Sequence, residues 1–74
     1  MGTQMDKPLP YWTCTYTKDQ LEPMLREWNC SEPLPRKGQM VYIALPIRET
    51  IEIHRYEKQS TYGKPLYRVE MRRY

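Results

Sequence analysis

The sequence has no phenylalanine, one histidine, two cysteines and three glycines, and each shortage removes a class of function. Nucleophilic hydrolysis needs a nucleophile beside a base and an orienting group. His54 is the only histidine, and it stands between Ile53 and Arg55 on an expected strand with no supporting set nearby. A surface histidine is therefore expected, and the chain is not read as an enzyme. The glycines Gly2, Gly38 and Gly63 fall in neither GxGxxG nor GxxxxGK, the patterns whose backbone amides cradle phosphate, which excludes a nucleotide enzyme. Cys14 and Cys30 form no CxxC pair. With His54 they would give three zinc ligands, but without the closely spaced pair from which such sites begin. They are read as reduced thiols, with no metal and no cofactor expected. No apolar run approaches the roughly 18 residues that span a bilayer, and the start lacks the basic-then-apolar order of a signal peptide. The expectation is a cytoplasmic protein with no membrane partner.

The 74 residues fit one domain, and a domain of this size buries only about 60% of the surface its unfolded chain exposes. Hydrophobic residues make up 39% and charged residues 28% of the chain, and seven Tyr and two Trp supply all the aromatic bulk. Each of those rings has an apolar body and a polar tip, which suits a surface that is half core and half contact. The net charge of +3 conceals a split. Residues 1–35 carry three cations against five anions, net −2, whereas residues 36–74 carry nine against four, net +5. Such a split draws an acidic protein surface or a phosphate backbone towards one end of the molecule.

Residues 1–10, with Pro8 and Pro10 and no periodicity, are expected to form a flexible arm, with Met1-Gly2-Thr3-Gln4 reading either as an expression scar or as a native start. A single domain, 11–74, follows. Tyr11 to Tyr16 alternates aromatic and β-branched residues as a short extra N-terminal strand would. Leu21, Met24, Leu25 and Trp28 then fall at i, i+3, i+4 and i+7, one helical stripe. Thr17 with Gln20, or Asp19 with Glu22, can form a capping box. With Asp19 as N-cap, Pro23 falls at the fourth helical position and the helix runs from 19 to 29, stopped by Asn29. An extended proline-rich loop covers Ser31 to Gly38. Val41, Ile43 and Leu45 alternate with Met40, Tyr42 and Ala44, and Pro46 opens a hairpin. Ile51 and Ile53 are expected inward, with Glu52, His54 and Tyr56 outward. After a loop from Gln59 to Pro65, Tyr67, Val69 and Met71 alternate with Arg68, Glu70 and Arg72, as in a strand wet on one side and lying at a sheet edge. The fold class is α+β: one short helix on a three-stranded antiparallel meander, with Trp28 as the centre of the core.

The chemistry that remains is in the basic half. Arg48, Arg55, Tyr56, Tyr62, Lys64, Arg68, Arg72 and Arg73 are the candidate partner-binding residues, because they interleave cations with rings. At protein interfaces a ring fills a pocket and a guanidinium pairs with a carboxylate. The same mixture suits single-stranded RNA, with bases on Tyr and phosphates on Arg and Lys. It also follows simply from Tyr and Val favouring strands while Arg keeps the outer face soluble. Glu49, Glu52, Glu57 and Glu70 read as members of exposed ion pairs. Reversing Arg68, Arg72 and Arg73 together is expected to weaken binding and leave the fold intact. A toxin or antitoxin component is a third reading, without a visible catalytic set.

With the aromatic strand Tyr11 to Tyr16, one helix ending Leu25-Arg26-Glu27-Trp28 and a basic meander from Met40 to Tyr74, the chain resembles the small phage-encoded regulators of host RNA polymerase, the transcription inhibitors and antiterminators of lytic Xanthomonas phages. The resemblance covers size and layout over most of the chain. It implies a protein of the host cytoplasm that binds polymerase near the β′ amino terminus and RNA exit region, displaces σ, inhibits initiation and promotes antitermination; a monomer is expected. A small basic RNA-binding protein is the alternative, with nucleic acid otherwise a secondary partner.

Overall fold

Thr17 sets the start of the helix. Its hydroxyl accepts from the Gln20 amide at 3.4 Å while its own amide donates to Gln20 Oε1 at 2.9 Å, a reciprocal box that pairs two amides otherwise orphaned at the helix start. In the computed structural model, which describes residues 8–59 and 62–74 and leaves aside the side chains of 57–59, the helix α1 is therefore Lys18–Glu27. This corrects the expected Asp19 cap. Asp19 lies in the first turn instead, where its carboxylate faces the positive end of the helix dipole. Pro23 moves correspondingly deeper into α1 and leaves the Asp19 carbonyl without its helical donor. Asn29 does stop the helix: it has φ 55°, with Asn29 N donating to Arg26 O at 3.1 Å and Cys30 N to Leu25 O at 2.9 Å. That is the paired bonding of a Schellman cap.

The strands are β1 (Trp12–Thr17), β2 (Met40–Leu45), β3 (Glu49–Gln59) and β4 (Pro65–Arg73), joined in one antiparallel sheet in the order β1-β4-β3-β2. The chain is α+β, and the extra N-terminal strand is a full member of the sheet. β4 is central, not an edge, because β1 pairs along it from Trp12 opposite Met71 to Thr17 opposite Leu66. β1 and β2 are the edges. No helix among the described residues is long and apolar enough to cross a membrane.

One sheet face takes α1. Leu21 and Leu25 are buried there with Val41, Ile51, Ile53, Tyr67 and Val69, ringed by Trp12, Tyr16, Met24, Cys30 and Leu34. Trp28 is only half-buried at this rim, which corrects its expected place at the centre of the core. As the C-cap it stands past the last full turn of the stripe, and fully buried Leu21 takes the centre. The proline-rich loop crosses to β2 with Pro35 buried and closes in a turn in which Gln39 N bonds Arg36 O at 2.9 Å and Gly38 supplies φ 80°. β2 and β3 meet in a tight hairpin, Leu45 opposite Glu49. The register of β3 on β4 shifts between Arg55 and Gln59, as at a bulge. The expected flexible arm lies outside the described residues up to Lys7. Pro8 and Pro10 are half-buried.

Candidate partner-binding surface

The fold separates the eight candidate residues into three places. Arg68 and Arg72 lie on the sheet face away from α1. Arg48 and Arg73 meet at the β2–β3 hairpin end. Arg55, half-buried Tyr56, exposed Tyr62 and exposed Lys64 lie towards the opposite end. There Arg55 sits over the Tyr67 ring at 5.7 Å, a cation–π contact with a ring of the core.

The face away from α1 is where alternation misleads most. Glu52 and Glu70 are direct partners on β3 and β4, and two carboxylates side by side repel. Arg72 resolves this by spanning both, with Nη1 at 3.0 Å from Glu52 Oε1 and Nη2 at 3.0 Å from Glu70 Oε1, while its Nε donates to the Pro8 carbonyl at 2.8 Å. Arg68 Nε stands 3.1 Å from Glu70 Oε2, and His54 Nε2 stands 3.1 Å from Glu52 Oε1 and 3.9 Å from Glu70 Oε1. Arg72 Nη1 and Arg68 Nε are off the hydrogen-bond direction, so those two contacts are Coulombic. Glu52 is 1% exposed. The expectation that Glu52 and Glu70 form exposed pairs is therefore corrected: long side chains lie flat over the strands and exclude water from the carboxylates beneath. His54 keeps about a third of its side chain exposed. Triple charge reversal would consequently strike an internal network through Arg72, and it is no longer expected to spare the fold.

At the hairpin end the pairing is exposed. Arg73 Nε donates to Glu49 Oε2 at 2.8 Å, Tyr11 Oη donates to the same oxygen at 2.9 Å, and the Arg73 guanidinium lies 4.6 Å from the Tyr11 ring centre. Donation by Arg73, followed by that of Tyr11, lowers the Glu49 pKa below its usual value. The bond to Glu49 in turn raises that of Tyr11. Tyr74 N bonds Arg48 O at 2.9 Å and brings its ring to the same end. Ile47 and Arg48 have φ 64° and 60°, a region unfavourable for any L-residue and most of all for a β-branched one. Ile47 is also 90% exposed, and Tyr11 and Tyr74 are half exposed. An apolar tip in a strained conformation thus stands beside Arg48, Arg73 and two Tyr rings.

Sequence reasoning missed Tyr11 and Ile47. Tyr11 is far from Arg73 in the chain, and no spacing rule links them. Ile47 was legible in principle, as a β-branched residue straight after Pro46 in a loop too short for it.

Glu52, His54 and Glu70 could between them offer three metal-ligand atoms within 4.8 Å of one another. Both carboxylates are already neutralised by Arg72 and Arg68, so a cation there would meet two positive charges. The set of Cys14, Cys30 and His54 does not assemble. Cys14 lies opposite Val69 and Cys30 packs on the core, whereas His54 lies opposite Arg68 on the other face. Both thiols are free. No family model matches the sequence, and neither a curated protein nor a solved structure matches it.

Proposed function

We propose that this protein acts by binding rather than by catalysis, and that its partner is host RNA polymerase, engaged near the β′ amino terminus so that σ is displaced, initiation is blocked and elongating enzyme passes terminators. The resemblance supplies the partner and its setting in the host cytoplasm. The hairpin end supports the mode of action: Ile47 is strained and 90% exposed beside Arg48, Arg73, Tyr11 and Tyr74. Strain of this kind persists where the surrounding structure enforces it, and it clusters at functional positions. Tyr and Arg around an apolar knob are the residue types that dominate binding energy at protein interfaces. The internal pairing of Arg72 and Arg68 weighs against RNA, because phosphate binding draws on unpaired cations.

Gel filtration of the protein with purified host polymerase tests this reading. The wild type is expected to co-elute. Ile47→Gly should fold about 1 kcal/mol more stably, by relief of the positive φ, and yet bind on the order of tenfold more weakly. Binding unchanged in a folded Ile47→Gly removes the hairpin end from the interface. Failure of the wild type to co-elute removes polymerase as the partner, and RNA affinity that survives without protein and falls steeply with salt favours the alternative.

A further inference from the structure

β2 is an edge strand of composition unlike the rest of the basic half. Met40 to Leu45 carries no charge, no proline and no glycine. Exposed edges of folded sheets are ordinarily protected by lysine, proline or a covering segment. Among the described residues, no backbone hydrogen bond joins the outer side of β2. Its side chains are arranged as half of a larger sheet. Ile43 and Leu45 are half-buried at the rim of the core on the α1 side, and Tyr42 and Met40 are 49% and 42% exposed on the other.

The charges around this edge are mostly positive, and Glu49, which lies opposite Leu45, is already held by Arg73. Residues 32–48 carry Arg36, Lys37 and Arg48 against Glu32 alone, net +2. The cations stand beyond both ends of the strand. At its start, Lys37 and Arg55 line an open hollow of about 630 Å³ with Gly38, Gln39, Met40 and His54. A second copy of this chain is a poor occupant. Antiparallel pairing of β2 with itself in the register that sets Val41 opposite Ile43 brings Arg36 of each copy opposite Arg48 of the other, and like charges so placed are repulsive.

We propose that the outer edge of β2 receives an extended strand of a partner protein, about six residues of alternating apolar character with carboxylates at both ends. Backbone bonds to the edge supply affinity. Alternate apolar side chains complete the core rim over Ile43 and Leu45, and the flanking acids meet Lys37 and Arg36 at one end and Arg48 at the other. The surface shares Arg48 with the Ile47 tip but is otherwise separate from it, and the proposal stands whether or not polymerase is the partner.

The test uses the full chain labelled with ¹⁵N and three synthetic peptides sharing one Val/Thr-alternating centre. One is flanked by Asp and Glu, one by Lys, and one by Asp and Glu with a central proline. The acidic peptide should shift the amides of Met40 to Leu45 and Lys37, bind roughly tenfold more tightly than the Lys-flanked peptide, and lose much of that advantage at about 0.5 M salt. The proline peptide should not bind, since it cannot complete the ladder. Tyr42→Lys, an exposed substitution that leaves the core untouched, should weaken the acidic peptide severalfold, and Arg36→Glu with Lys37→Glu should reduce or reverse the charge preference. No binding up to about 1 mM, shifts centred elsewhere, equal affinity for the two charged peptides, or concentration-dependent self-association through the same amides would each overturn the proposal. Tyr42→Lys that loses the peptide but keeps polymerase separates this site from the polymerase contact.

Discussion

On the α1 side of the sheet, Leu21 and Leu25 meet Ile51, Ile53 and Val69, and water is excluded by hydrocarbon. On the other side no helix lies among the described residues, yet Glu52 is as deeply buried as the isoleucines flanking it, covered by Arg72, Glu70 and His54. The first face is non-directional, so losing one group removes only that group's contribution and some packing. The second is a set of mutually dependent charges in which each member is tolerable only while its partners are present. A thin domain can thus close both faces of one sheet with a single helix, at the cost of making one face intolerant of single changes.

The sharpest test of this contrast is Arg72→Ala, which leaves Glu52 and Glu70 adjacent without a guanidinium between them. Chemical denaturation should show a loss of about 3–5 kcal/mol. Replacing the network together, with Glu52→Leu, Glu70→Leu and Arg72→Met, should return stability to within about 1 kcal/mol of the wild type or above it. If the single and triple variants lose equal stability, the two faces do not differ in kind. On the other face Leu21→Ala should cost about 3 kcal/mol, and Trp28→Ala less than that because its site is only half-buried; the reverse order in thermal melts would restore Trp28 to the centre of the core. Thr17→Ala, which removes half of the capping box that anchors α1 to its face, should cost about 1 kcal/mol.

The smallest effect belongs to the exposed pair at the hairpin end. The folded-state pKa of Glu49 is depressed below its ordinary 4.5, chiefly by Arg73 and then by Tyr11. Its contribution is therefore present above the unfolded value and is lost as pH falls through the lower folded one. An NMR titration of the Glu49 carboxyl should place its midpoint below 4.5, and Arg73→Ala should move it back up. A midpoint unmoved by Arg73→Ala would show that this pair has no effect in solution.

Much of the fold was legible because period and capping are local. The stripe of Leu21 and Leu25, the inward Ile51 and Ile53, and the stop at Asn29 follow from spacing within a few residues. What was not legible depends on which strands become neighbours. Alternation assigns Glu52, Glu70 and Arg72 to the polar face, but only the β3–β4 register sets the two carboxylates opposite each other and makes Arg72 an internal bridge. The basic and aromatic residues could be counted from the sequence, yet their grouping could not. Tyr11 reaches Glu49 and Arg73 because β1 lies on β4, whereas Tyr62 and Lys64, close to Arg68 in sequence, stand at the other end of the sheet.

The central place of β4 has a consequence for biosynthesis. The ribosome releases β1 first, and the strand it pairs with is β4, made after α1, β2 and β3. Until then the nascent chain can hold a β2–β3 hairpin and a helix but no continuous sheet, and Glu52 on β3 lacks the arginine that covers it. Folding of this chain should therefore be a late and concerted event, since pairings between distant segments are slow to form. A stalled or shortened product ending before β4 would present two unpaired strands, Trp12–Thr17 and one side of β3, to chaperones and proteases.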